Sequence, residues 1–212
     1  MERVLHRTNS MRRLRDALDF GFDRVEVDVW YRASRFILSH DAPLGRWAIG
    51  RNGAEFSSRF HVPVRRERSF LRLPQLLGLR PPPLVVDLKG RWPDCGFEQL
   101  STLLAMFGRA DDMVASRRWG RLARCAAVAS EQRLAYGAGE RGIRHVLAGN
   151  GPRPSAVSIE FRALTESLDL VGDMHRAGVA VYVWKIDAPE QLRVLEEAGV
   201  DGVIFAEPGW GA

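Results

Sequence analysis

Short apolar runs alternate with segments of helical periodicity along the whole chain. The apolar runs predict buried strands, and apolar residues recurring every three to four positions predict amphipathic helices between them. The predicted strands are Arg3–Arg7, Arg24–Tyr31, Pro83–Lys89, Asp112–Ser116, Arg133–Tyr136, Ala156–Phe161, Val179–Ile186 and Gly202–Ala206. The predicted helices are Met11–Phe20, Cys95–Gly108, Trp119–Ala129, Glu140–Leu147, Thr165–Ala177 and Ala188–Ala198, with Gly21, Gly178 and Gly199 each closing a helix.

Repeated strand–helix units of this kind predict an α/β protein with a parallel sheet. The main strands suffice to close the sheet, so we expect a short (β/α)8 TIM barrel that forms a single domain over residues 1–212. Phe36–His40 is predicted as a further short strand after the second. His40–Pro82 has many arginines and little periodicity before Phe70–Leu79, so it is predicted to be a long loop over the barrel mouth.

Two predicted strands carry acidic residues on one face. In Val25–Val29 the valines alternate with Glu26 and Asp28, so the valines share one face of the strand and the acids share the other. Valines packed on the surrounding helices would turn both carboxylates into the barrel, where they need a compensating cation. The alternative is an edge strand with a solvated polar face.

The same alternation places Asp87 and Lys89 on one face, near the carboxyl end of their strand. Sites in barrels lie at that end. The alternative is a structural ion pair without a role in function. Lys89 and Lys185 are the only lysines in a chain rich in arginine, which favours Lys89 as a position that requires a compact ammonium group. We expect Trp184 to form a pocket wall, although a single tryptophan is more often a core residue, and Lys185 to be structural.

Histidines occur beside both acidic positions. His6 lies at the end of the first predicted strand, and His40 lies at the end of the short strand after the acidic one. Because imidazole titrates near neutral pH, the two are candidates for proton transfer. His61, His145 and His175 lack this context and are predicted to be loop or helix residues.

Composition narrows the class of protein. The 212 residues carry a formal charge of +5, and the arginines are spread along the sequence. This distribution favours a small anionic substrate over a nucleic acid. No apolar run is long enough to span a bilayer and no secretory signal is recognisable, so a cytoplasmic protein is expected. Cys95 and Cys125 are predicted to be free thiols. The oligomeric state stays open.

Taken together, these motifs resemble the glycerophosphodiester phosphodiesterase family over essentially the whole chain. In the family's order they are His6-Arg7, Glu26-Val27-Asp28, His40-Asp41, Asp87-Leu88-Lys89, Val183-Trp184 and Gly199-Val200-Asp201-Gly202. The resemblance implies a divalent metal held by Glu26, Asp28 and Asp87, with His6 and His40 as the acid–base pair. It also implies that Arg7 and Lys89 lie near the phosphate.

Several positions depart from that family, and one of them belongs to the metal site. Asp87 stands where the family commonly has glutamate, and Asp-x-Lys is similar to the sphingomyelinase D-type phospholipases, whose reaction can give a cyclic phosphate. The expected protein is therefore a phosphodiesterase that uses Mg²⁺ or Ca²⁺ and cleaves a glycerophosphodiester or a related (lyso)phospholipid-type diester. The alternatives are a barrel that binds a phosphorylated ligand without turnover and a transphosphatidylase that forms a cyclic phosphate. Which histidine is the acid and which the base stays open.

Overall fold

The computed structural model describes residues 1–44, 47–49, 64–66, 70–186 and 188–211. Its strands are β1 (Glu2–Leu5), β2 (Arg24–Arg32), β3 (Arg35–Leu38), β4 (Ala42–Leu44), β5 (Trp47–Ile49), β6 (Val64–Arg66), β7 (Leu84–Lys89), β8 (Met113–Ser116), β9 (Arg133–Gly137), β10 (Ala156–Glu160), β11 (Ala180–Trp184) and β12 (Gly202–Phe205). Its helices are α1 (Met11–Asp19), α2 (Leu73–Leu77), α3 (Asp94–Met106), α4 (Trp119–Val128), α5 (Glu140–Leu147), α6 (Phe161–Thr165), α7 (Asp169–Arg176), α8 (Pro189–Glu197) and a final 3-10 turn (Pro208–Gly211).

Eight parallel strands close into a barrel. Their order is β1, β2, β7, β8, β9, β10, β11 and β12, and β12 pairs with β1 again to complete the circle. The predicted (β/α)8 barrel is confirmed, and its strands agree with the predicted ones to within two residues at each end. β3 pairs antiparallel with the carboxyl-terminal part of β2, beyond the residues of β2 that pair with β1. Gly21, Gly178 and Gly199 have φ values of +64°, +68° and +75°, as expected for residues that end helices.

The strand alternation divides the apolar residues into two layers. Outward-facing residues such as Val27 and Val86 have no exposed surface and pack under the helices. Inward-facing residues fill the barrel itself, among them Val85, Met113 and Tyr182. A Cβ atom on Gly202 would lie 2.4 Å from the Tyr182 ring, so this position needs glycine. Residues that face inward at the carboxyl ends of β2 and β7 therefore project above a filled barrel interior.

An ion pair joins the amino-terminal ends of β1 and β2. The Glu2 Oε2 atom accepts hydrogen bonds of 2.6 Å from Arg24 Nε and from the Tyr182 hydroxyl. Burial disfavours the charged form of Glu2, but the bonds from Arg24 and Tyr182 outweigh it and lower the pKa of Glu2. The charge of Glu2 at this end of the barrel is thus compensated by neighbouring residues of the barrel.

The prediction of a single helix over Thr165–Ala177 is wrong. The chain forms two helices, α6 and α7, with a break at 166–168. Leu164 and Leu170 are both buried, at 0% and 4% exposure. Residues six positions apart lie on different faces of a continuous helix. The break lets both leucines face the barrel.

The segment His40–Pro82, predicted to be a long loop over the barrel mouth, also contains regular structure. β4, β5 and β6 form a separate antiparallel sheet, and α2 packs Leu73 and Leu76 into the core. Short three-residue strands carry too little alternation to be recognised. Residues 45–46, 50–63 and 67–69 lie outside the described residues, and His61 is one of them.

The short strand was predicted to end at His40, but β3 ends at Leu38. Beyond Leu38 the Ser39 N–H still donates to the Asp28 carbonyl, at 3.0 Å, and the Ser39 side chain donates to the Asp41 carbonyl, at 2.7 Å. Of the remaining predictions on single residues, Cys95 and Cys125 are free thiols on α3 and α4. His145 and His175 lie in α5 and α7. Among the described residues, no helix is both long and apolar enough to cross a membrane.

Candidate active site

Three carboxylates meet at the carboxyl ends of the barrel strands, which we call the barrel mouth. Glu26 and Asp28 face inward from β2, and Asp87 lies beside Asp28 in the register of β2 with β7. One oxygen from each of the three side chains lies within 4.8 Å of the others. Glu26 is 5% exposed and Asp28 is fully buried. The structure therefore brings together the three acids that the alternation pattern turns inward.

The three acids of the cluster have pKa values shifted in different directions. Burial, followed by the negative charges of Asp28 and Asp87, raises the pKa of Glu26 well above its usual value. Burial also raises the pKa of Asp87, against the opposing charge of Lys89. Burial acts on Asp28 in the same direction, but hydrogen bonds and the Lys89 charge outweigh it and hold the pKa of Asp28 well below its usual range. The cluster thus carries more negative charge than its neighbours neutralise.

Lys89 lies among these carboxylates. Its Nζ atom is 2.8 Å from Asp28 Oδ1 and also donates a hydrogen bond to Asp87. Burial alone would lower the pKa of Lys89, but Asp87, Asp28 and Glu26 raise it, so the ammonium stays charged. A compact ammonium fits between two acids on neighbouring strands, as the rarity of lysine in this chain suggests.

Asn9 holds Asp28 in place, a role that the sequence pattern did not reveal. Its Nδ2 atom donates to Asp28 Oδ2 at 2.6 Å, and its Oδ1 atom accepts the Asp28 backbone N–H at 2.9 Å. This pair of bonds fixes both the backbone and the side chain of Asp28. The only signal in the sequence is the position of Asn9 shortly after His6-Arg7.

The two candidate histidines lie on either side of the acid cluster. His6 Nε2 is 3.6 Å from Glu26 Oε2, and His40 Nδ1 is 3.4 Å from Asp28 Oδ2. Burial, together with the positive charge of Arg7, lowers the pKa of His6 to about 4. The neutral form of the His6 imidazole is therefore favoured at pH 7.

The backbone around both histidines is anchored. Arg13 donates to the carbonyls of His6 and Ala206, at 2.8 and 2.6 Å, which ties the ends of β1 and β12 together. On the other side, the Ser39 N–H donates to the Asp28 carbonyl at 3.0 Å, and the Trp30 indole donates to the Ser39 carbonyl at 2.9 Å. These bonds place His40 beside Asp28 although it lies beyond the end of β3.

Arg7 occupies a left-handed turn, with φ of 54°. Its backbone N–H donates to Glu26 Oε2 at 2.6 Å, while its side chain is exposed. The backbone thus helps to orient Glu26, and the guanidinium is available to a molecule that approaches the mouth.

The three acids fit a hard divalent cation. Their donors are all carboxylate oxygens, which Mg²⁺ and Ca²⁺ prefer, and no cysteine or other soft ligand belongs to the cluster. Two of the three are buried and their charges are not fully compensated, so a bound cation would relieve their mutual repulsion. Glu26, Asp28 and Asp87 are accordingly the residues that would hold it.

Across the mouth from this cluster, Trp184 ends β11. Its half-buried ring packs against the residues that fill the barrel interior. The guanidinium carbon of Arg117, which follows directly after β8, lies 4.8 Å from the centre of this ring. Lys185 instead pairs with Glu160, at 2.9 Å. Arg117 is a second residue of the mouth that the sequence patterns did not single out.

A comparison of the two lysines tests the assignment of Lys89. We expect Lys89→Arg to lose most of its turnover, because a long planar guanidinium does not fit the space between Asp28 and Asp87 despite its equal charge. Lys185→Arg should keep normal turnover, since Lys185 pairs with Glu160 at a largely exposed site. Steady-state kinetics on the two purified variants measure this difference. The reverse order of activities would contradict the assignment of the two lysines.

Comparison with known proteins supports the family resemblance. The family model described as glycerophosphoryl diester phosphodiesterase matches residues 148–209. A glycerophosphodiester phosphodiesterase from Agrobacterium tumefaciens str. C58 aligns with a TM-score of 0.76 at 19% identity, covering 100% of this chain and 98% of that chain. One from Parabacteroides distasonis aligns with a TM-score of 0.76 at 17% identity, covering 99% and 94%.

A further solved structure is an Oleispira antarctica phosphodiesterase in complex with the product sn-glycerol-3-phosphate. It aligns with a TM-score of 0.67 at 15% identity, covering 96% of this chain and 92% of that chain. No curated protein matches the sequence. At these identities the structural likeness establishes the common barrel fold, while the family model is matched by the carboxyl-terminal part of the chain.

Proposed function

We propose that this protein is a divalent-metal-dependent phosphodiesterase that cleaves glycerophosphodiesters or related (lyso)phospholipid-type diesters. The observation that carries the proposal is the convergence of Glu26, Asp28 and Asp87 between His6 and His40 at the barrel mouth. The matched family model and the product-bound structure of similar fold support the glycerol-containing substrate.

The chemistry requires neutralised charge and two proton transfers. A phosphodiester is anionic, and Glu26, Asp28 and Asp87 would hold a divalent cation whose positive charge would offset the negative charge of the phosphate. Arg7 and Lys89 bind the phosphate oxygens and stabilise the charge that develops on them. Trp184 forms the apolar wall against which the substrate lies.

The two histidines carry the protons. One takes the proton from the attacking hydroxyl, and the other gives a proton to the departing alkoxide. Their positions beside Glu26 and Asp28, on either side of the cluster, suit transfers at opposite ends of a bound phosphate. Arg13 and Asn9 position this machinery through the His6 carbonyl and Asp28.

The direct test is a substrate and metal panel. Glycerophosphocholine, glycerophosphoethanolamine, glycerophosphoglycerol and the matching lysophospholipids are incubated with the protein in Mg²⁺, in Ca²⁺ and in excess chelator. We expect release of sn-glycerol 3-phosphate or lysophosphatidate with a metal and none with the chelator. Activity that is lost in chelator must return when excess metal is added back, which shows that the chelator did not unfold the protein.

The same panel separates the alternatives. Phosphorus NMR of the reaction mixture distinguishes a phosphomonoester, which results from attack by water, from a cyclic phosphate, which results from attack by a substrate hydroxyl. A cyclic product would make the protein a transphosphatidylase, as the Asp87-x-Lys89 pattern allows. Phosphate-ester binding without turnover of any diester would instead favour a binding protein.

A further inference from the structure

Arg117 is a cation of the barrel mouth that the proposed chemistry does not use. Its side chain is exposed, and among the described residues no carboxylate pairs with its guanidinium. Two other cations nearby are engaged: Arg121 donates to the carbonyls of Leu88 and Gly90, and Lys185 pairs with Glu160. Arg117 is therefore available for an anionic ligand.

The position of Arg117 is built by the surrounding strands. The side chain leaves the end of β8, passes Gly137 at the end of β9 and stacks over Trp184 of β11, 4.8 Å from the ring centre. A Cβ atom on Gly137 would lie 2.9 Å from Arg117 Cγ, so the missing side chain at 137 makes room for this path. Stacking of a guanidinium on an aromatic face orients its N–H groups while leaving them free to bind.

The location separates Arg117 from the residues assigned to the phosphate. The metal-binding acids and Lys89 belong to β2 and β7, so the phosphate of a substrate is held on that side. Arg117 reaches over the side formed by β8 to β11, yet it is close enough for its charge to oppose the raised pKa of Asp87. A substituent of the phosphate that extends across the mouth meets Trp184 and Arg117.

We propose that Arg117 selects diesters in which the alcohol esterified to glycerol phosphate carries an anionic group, a carboxylate or a phosphomonoester. This inference rests on the proposed function and names its substrate class. Glycerol itself is uncharged, so the anion belongs to the other alcohol. An anionic substituent would be repelled from a mouth rich in carboxylates unless it met a dedicated cation, and a guanidinium binds either anion in a bidentate manner.

The test uses three glycerophosphodiesters whose second alcohol has the same three-carbon chain. Their second alcohol is 1,3-propanediol, 3-hydroxypropionate or 1,3-propanediol monophosphate, which end in a hydroxyl, a carboxylate and a phosphomonoester. We expect kcat/KM to be higher for the anionic diesters than for the neutral one. In Arg117→Gln this preference should fall by about tenfold, the effect of losing one charge-assisted hydrogen bond near water. The two anionic arms show which group the arginine prefers.

Two further variants isolate the role of the side chain. Arg118→Gln removes an adjacent exposed arginine for which no ring contact is found among the described residues, and it should keep the preference. Gly137→Ala keeps every charge but displaces the stem of Arg117, so it should lower the preference. An unchanged melting temperature in Arg117→Gln and Arg118→Gln shows that the fold is intact.

Several outcomes would overturn the inference. It is wrong if the wild-type protein shows no preference, or if Arg117→Gln lowers kcat/KM equally for all three diesters, because the arginine then serves the shared phosphate. If the wild-type protein hydrolyses none of them with Mg²⁺ or Ca²⁺, the proposed function fails separately. The affinities of wild type and Arg117→Gln for the same intact diesters are then measured by calorimetry. Tighter binding of the anionic diesters by wild type but not by Arg117→Gln supports the role of Arg117. Absence of binding contradicts the inference.

Discussion

His6→Ala and His40→Ala are each expected to lower kcat by about 10²- to 10⁴-fold, the usual contribution of one general acid or base. The reason is their placement: each imidazole lies within 3.6 Å of a different acid of the cluster, so neither can replace the other. Each variant should fold normally and keep its stabilisation by divalent cations, because the metal ligands are unchanged. Kinetics and thermal unfolding measure both properties.

A leaving-group series assigns the two histidines to their roles. A diester that releases p-nitrophenolate needs little help from an acid, because that anion is stable without a proton. The variant lacking the general acid should therefore regain much of its activity on this substrate, while the variant lacking the base should not. His175→Ala is the matched control, since His175 lies on α7 and pairs with Asp201 at 2.8 Å. Near-normal turnover of either His6→Ala or His40→Ala would remove that residue from the mechanism.

Glu26→Gln is expected to stabilise the metal-free protein and to remove most of the stabilisation that a bound divalent cation provides. Burial, followed by the negative charges of Asp28 and Asp87, raises the pKa of Glu26 well above normal. Without divalent cations, glutamine removes one buried like charge while its side-chain oxygen can still accept the Arg7 N–H. The free energy of unfolding of the metal-free variant should then exceed that of the metal-free wild type by about 1–3 kcal/mol.

Metal acts on stability in the opposite direction. At about 100 times its dissociation constant, a cation should stabilise the wild type by about 2.7 kcal/mol, whereas Glu26→Gln should gain little. That corresponds to an increase in melting temperature of about 5–10 °C for a chain of this size. Turnover should be abolished in the variant. These changes are measured by thermal unfolding in Mg²⁺, in Ca²⁺ and in chelator.

Glu2→Gln provides the matched control at the opposite end of the barrel. Glu2 is compensated by Arg24 and Tyr182, so its loss should destabilise the protein by about 1 kcal/mol and leave the metal response unchanged. A wild-type protein whose melting temperature is the same in chelator and in either metal would contradict the proposed metal site.

The acidic strands show how much of the site is local. The two-residue period of β2 and β7 determines which residues face the barrel, so Glu26, Asp28, Asp87 and Lys89 could be placed on inward faces without coordinates. Parallel strands in one barrel present their carboxyl ends at the same rim, so the convergence of these acids follows from the fold class.

Other parts of the site depend on contacts between distant segments. Asn9 reaches Asp28 from 19 residues away, and Arg117 reaches Trp184 across several strands. No period or spacing encodes such contacts, because they depend on how the loops at the barrel mouth are oriented. His40 illustrates both situations: its proximity to the acids was suggested by the motif, while its true position beyond β3 is set by hydrogen bonds around Ser39.

The sequence by itself determined the order of the eight barrel strands and of the main helices between them, the barrel and the inward direction of its acids. These follow from short-range alternation and from the packing of apolar faces. The tertiary structure alone decided the break between α6 and α7, the small sheet of β4 to β6, the bonds of Asn9 and the path of Arg117 past Gly137. These features depend on side chains that meet only after the barrel has closed, and pairing between distant residues leaves no periodic trace in the chain.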